Sequence, residues 1–128
     1  MDLKEQGDFD AEGANLIGGY GDFGFRVRGA FHKSSIVVDA DGLTLIDAAA
    51  LGDLTVDHFL HLFEGDKMPE IILVGTGKNI AALPKSLAKG LLAKGIEVDF
   101  MDTGAAARTY NILVLEKRYV GAVLVAHE

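Results

Sequence analysis

The feature that most constrains this chain is the order of its apolar segments between residues 69 and 125. After Pro69, the run Glu70-Ile-Ile-Leu-Val-Gly75 is short and continuously apolar, the pattern of a strand covered on both faces. Pro84 fits the first turn of a helix, where its missing N–H costs nothing, and Leu87, Leu91 and Leu92 supply that helix's inner face. Gly95 ends the helix, and Ile96-Glu-Val-Asp-Phe-Met101 alternates as a second strand. Thr103 is the expected cap of another helix running to about Glu116, and Tyr119–Val125 reads as the last strand. Two crossovers of this length predict a mostly parallel sheet with helices on its faces.

The preceding residues read differently. Phe23, Phe25 and Val27 alternate with Gly24 and Arg26, a half-buried strand pattern. Ser35–Asp39 and Leu43–Ile46 flank Ala40-Asp41-Gly42, and Asp-Gly between apolar runs predicts a hairpin, because glycine accepts the positive φ of the turn. Thr55 reads as the cap of a short helix in which Val56, Phe59, Leu60 and Phe63 recur at helical spacing, up to Gly65. Residues 1–12 hold Asp2, Glu5, Asp8, Asp10 and Glu12 against Lys4. With no sustained period before residue 20, residues 1–19 are expected as a flexible acidic tail. Residues 20–128 are expected as one α/β domain: three layers, a mixed and mostly parallel central sheet, helices on both faces and an N-terminal β-hairpin.

Composition removes several functions. None of the 128 residues is cysteine, which excludes disulfides, thiolate metal sites and thiol catalysis. Nineteen acids against 12 bases give a net charge of −7, a poor match to nucleic acid. Apolar runs such as Ile71–Val74 and Ile112–Leu115 stop after four residues, whereas a membrane-spanning helix needs about 20. The first residues lack a basic leader followed by an apolar run, so a cytoplasmic location is expected, with membrane association arising only through partners.

Two loops carry the candidate ligand chemistry. Gly75-Thr76-Gly77 lies between a strand and a helix, where phosphate could approach the backbone. The dinucleotide fingerprint fails because Ile80 holds the place of its third glycine. Met101–Asn111 joins the next strand to its helix and places Arg108, Thr109 and Asn111 near the helix start. In a parallel sheet both loops fall at the carboxyl edge, the usual ligand edge of open α/β sheets. One reading is therefore an anionic-ligand pocket of Gly75, Thr76, Gly77, Thr103, Arg108, Thr109 and Asn111. The other is structural: Arg108 pairs with Asp102 or Glu116, and Thr103 and Asn111 satisfy caps. His58 and His61 share a helix face, but a closed zinc site needs about four ligands and the other histidines, His32 and His127, lie far off in sequence. No metal and no cofactor is expected. Ser34, Ser35 and Ser86 lie outside any G-x-S-x-G elbow, no catalytic residue is assigned, and the chain reads as leaning away from an enzyme. Lys78, Lys85, Lys89 and Lys94 read as a solvated helix face.

Gly75-Thr-Gly77, Leu83-Pro84, Gly95 through Thr103, Ala105-Ala106 and Arg108-Thr-Tyr-Asn111 form a specific series, joined upstream by Gly19-Tyr20-Gly21 and Phe25. It resembles, over roughly residues 16–126, the small α/β family that includes the mitochondrial respiratory complex I assembly factor numbered three. Ser34-Ser35 and Ile46 depart from the family's frequent Gly-Ser and tryptophan. The resemblance implies a three-layer fold with a mixed sheet and an added hairpin, no known reaction, and protein partners such as respiratory-complex subunits or assembly factors. The leading expectation is a non-enzymatic interaction factor using the surface near Phe23, Phe25 and the hairpin. The alternative is a small-molecule anion binder or enzyme using the Gly75–Gly77 and Thr103–Asn111 edge.

Overall fold

A computed structural model describes residues 13–128. Three strands come first: β1 (Ile17–Gly21), β2 (Gly24–Val27) and β3 (Ala30–His32), paired antiparallel in chain order. Then follow β4 (Ser35–Val38), β5 (Leu43–Ile46), α1 (Val56–Leu60), β6 (Ile71–Gly75), α2 (Lys85–Ala93), β7 (Asp99–Met101), α3 (Thr103–Leu115) and β8 (Val120–Leu124). The second sheet has the order β5-β4-β8-β6-β7. Its β6–β7 and β6–β8 pairs are parallel; β4–β5 and β4–β8 are antiparallel. The mixed α/β architecture is the expected one, and the parallel part is the unit read between residues 69 and 125.

Strand alternation divides the core into two layers. Ile36, Val38, Leu73, Ala122 and Leu124 face α3, where Ala106, Ala107 and Tyr110 meet Ile17, Phe25 and Val27 of the first sheet. Val37, Ile72, Val74 and Val123 face the other way, onto Phe59 and Leu62 and onto Leu87 and Leu91 of α2. Each inner strand is therefore apolar at consecutive positions, which is why Ile71–Val74 reads as a continuous run. The hairpin turn forms where Asp41-Gly42 predicts it: Asp39 Oδ1 accepts from the N–H groups of Asp41 at 2.9 Å and Gly42 at 2.7 Å.

Several boundaries differ from expectation. The first 12 residues of the expected tail lie outside the described residues. Its remainder is built into the domain: Asn15, Leu16 and Ile17 are buried, Asn15 N–H donates to the Ala40 carbonyl at 2.9 Å, and β1 starts at Ile17. Phe23 stands in the β1–β2 turn, not in a strand, and Phe25 is 1% exposed, which removes it from the expected surface. Pro84 is the residue before α2, not its first turn. The strand expected from Ile96 is regular only from Asp99. The cap of α3 is Asp102, whose Oδ1 accepts from Ala105 N–H at 2.9 Å; Thr103 is the first helical residue, and its hydroxyl is used elsewhere.

Candidate functional site

The two glycine-containing loops do meet at the carboxyl end of β6. A Cβ on Gly75 would lie 2.8 Å from Thr103 Oγ1 and 2.9 Å from Thr103 Cα, so only glycine lets β6 and the start of α3 come this close. Thr103, fully buried, joins three segments there. Its Oγ1 accepts from Gly77 N–H at 2.9 Å and donates to the Val125 carbonyl at 2.7 Å, and its N–H donates to the Gly77 carbonyl at 2.9 Å. Thr76 N–H donates to the Met101 carbonyl, and Thr76 Oγ1 donates to the Asn79 carbonyl at 2.8 Å while accepting from Ala81 N–H. The polar groups of this loop thus close on one another.

The remaining expected pocket residues diverge. Thr109 Oγ1 contacts Met101 Sδ at 3.7 Å, toward β7. Asn111 faces β1: its Oδ1 accepts from Ile17 N–H and its Nδ2 donates to the Ile17 carbonyl, both at 2.8 Å. One residue earlier, Tyr110 donates to the Asn15 carbonyl at 2.8 Å; burial, then the charge of Asp39, pushes its hydroxyl well above the usual tyrosine range. Arg108 sits at the rim, exposed, and donates to the Tyr20 hydroxyl instead of pairing with Asp102 or Glu116. Gly104 makes room for that hydroxyl, which a Cβ would approach to 2.8 Å. The His127 ring stands edge-on to Tyr20 with centroids 6.3 Å apart. On α1, His58 Nδ1 accepts from Thr55 N–H at 3.1 Å, and His61 Nδ1 lies 3.5 Å from Glu64, so the two imidazoles have separate local partners.

A second feature lies at the β1–β2 turn. Gly21 pairs with Gly24, leaving Asp22 and Phe23 as a two-residue loop with φ of 49° and 61°. Both central residues are left-handed, the hallmark of a primed hairpin turn, whose second place normally holds glycine. Phenylalanine there costs about 1–2 kcal/mol of backbone strain. Its side chain is 51% exposed, and its N–H donates to the His127 carbonyl at 2.7 Å. Beside it runs a groove lined by Lys33, Ser34, Ala48, Ala49 and Ala126. The sequence pattern hides this turn, because no glycine marks its centre.

Residues 17–125 match the family described as proteins of unknown function, DUF498/DUF598. The chain belongs to this family. The resemblance carried by Gly75-Thr-Gly77 and Arg108-Thr-Tyr-Asn111 is thereby borne out. Among similar proteins, one of Rhodobacter capsulatus is 38% identical over 112 residues, covering 88% of this chain and 85% of that one. The human NADH dehydrogenase (ubiquinone) 1 alpha subcomplex assembly factor 3 is 28% identical over 116 residues, covering 91% of this chain. This chain spans 63% of the human protein's length. The crystal structure of an outer membrane protein from Bartonella henselae superposes with a TM-score of 0.77 at 39% identity, covering 91% of this chain and 98% of that one. No helix among the described residues is long and apolar enough to cross a membrane.

Proposed function

We propose that this DUF498/DUF598 chain is a non-enzymatic protein-interaction factor that assists assembly of a membrane respiratory complex, with Phe23 as its anchor. The strained, half-exposed Phe23 carries the reading. A turn that glycine would relax instead holds a large apolar side chain toward solvent, next to a groove. Aromatic anchors beside grooves are where interface energy concentrates. The name of the human relative supports the assembly role and names the complex to test.

Stability and binding should respond oppositely to Phe23→Gly. Relief of the left-handed strain is expected to leave the fold as stable as before or more stable by up to about 1 kcal/mol, read from urea denaturation. The same change is expected to reduce capture of NADH dehydrogenase subunits from detergent-solubilised host membranes by about thirtyfold, the scale of one interface hot spot. Equal capture by both proteins, or no subunit enriched by the native chain, would sink the proposal.

The anion-binding reading rests on Arg108, whose exposed guanidinium contacts a neutral hydroxyl. Thermal shift with phosphate tests it. Stabilisation of the native chain that Arg108→Ala abolishes supports an anion subsite at Tyr20 and Arg108, and no shift rejects it.

A further inference from the structure

β7 forms one edge of the five-stranded sheet, and β6 is its ladder partner among the described residues. The Met101 carbonyl points toward the β6 side, where it accepts from Thr76 N–H at 2.8 Å. Alternation along the strand therefore turns the N–H and C=O of Phe100 outward. A groove flanks the strand on each face. Toward α3 its walls include Leu73, Met101, Thr109 and Leu113. Toward α2 they include Leu83, Leu92, Ile96 and Val98, with Leu92 78% exposed. Exposed edges are usually blunted by short strands, charge, proline or a bulge. Two apolar grooves at the period of a strand go beyond protection, because an added strand would send alternate side chains into each.

Charge points to the occupant. Glu70, Glu97 and Asp99 line the α2-side groove, Asp99 lines the α3-side groove as well, and no base lines either. Arg118 pairs with Glu70 at 3.5 Å, whereas Glu97 and Asp99 have no ion pair among the described residues. We infer that the β7 edge receives an extended basic segment of a partner protein as a further strand, its lysine or arginine side chains meeting Glu97 and Asp99 and the apolar side chains that alternate with them packing on the apolar groove walls. The chain's own residues 1–12, with five acids against Lys4, have the wrong sign. A second copy would bring Glu97 and Asp99 against an identical acidic edge.

Labelled peptides alternating lysine and valine test this by fluorescence anisotropy, against Glu–Val and Lys–Pro counterparts. The Lys–Val peptide is expected to bind, both counterparts at least about tenfold more weakly. Phe100→Pro removes the outward donor without removing a bond to β6 and is expected to weaken binding about five- to tenfold. The double variant Glu97→Lys, Asp99→Lys should weaken it at least as much, and it decides the matter if circular dichroism shows Phe100→Pro unfolded. Phe23→Gly should bind as the native chain does, which separates this edge from the β1–β2 turn. No binding, equal binding of all three peptides, or unchanged binding by the folded edge variants overturns the inference. So does a dimer in sedimentation that Phe100→Pro dissolves, since the edge would then belong to a second copy.

Discussion

Asn111→Ala is expected to destabilise the fold by about 3–5 kcal/mol, because it strips the hydrogen-bond partner from both backbone polar groups of one buried residue. The side-chain amide of Asn111 treats Ile17 as a neighbouring strand would, taking its N–H and giving to its carbonyl. Ile17 is fully buried, so water cannot replace either bond. The pairing of β1 with β2 shifts register between Ile17 and Gly19, so Ile17 lies where the ladder is irregular. Urea denaturation should report the loss. Hydrogen exchange at the Ile17 amide should accelerate far more than at Val123 in the central sheet. A loss below about 1 kcal/mol would mean that the β1 segment finds other partners, and the assignment of Asn111 as its anchor would fail.

Thr103→Val is the second large effect, expected at about 2–4 kcal/mol with almost no change in volume. The variant keeps the shape of the side chain and removes the one oxygen that Gly77 N–H donates to and that donates to the Val125 carbonyl. Both backbone groups then stay buried without that partner. Thr103→Ser keeps the oxygen and loses a methyl, so it should cost about 1 kcal/mol. If valine and serine cost the same, packing rather than hydrogen bonding holds this junction.

These two residues also explain what could be read from the chain alone. The hairpin around Asp41-Gly42 and the buried strand Ile71–Val74 are local patterns, and both are found in place. The helices are found too, α2 where Leu87 and Leu91 recur at helical spacing and α3 between Thr103 and Leu115. β1 is hidden because Ile-Gly-Gly-Tyr-Gly looks like a loop; its order comes from Asn111, 94 residues away. Asp102 and Thr103 are both good caps, and sequence cannot show that a tertiary demand for the Thr103 hydroxyl leaves capping to Asp102. The polar groups between Thr103 and Asn111 resemble a ligand-binding set for a related reason. A polar side chain beside a sheet edge looks the same whether it is meant for a ligand or for the chain's own backbone. The Asp22–Phe23 turn is invisible for the opposite cause, since a residue with the wrong local preference occupies it.

The position of β8 has a consequence for how the molecule is made. It is the last element in chain order, yet it stands at the centre of its sheet, between β4 and β6. Until it is available, β4–β5 and β6–β7 are two separate ribbons, each with an apolar edge where β8 belongs. The domain therefore cannot close progressively as it leaves the ribosome. Its sheet is completed in one late step, and the nascent chain carries two unpaired strand edges until then.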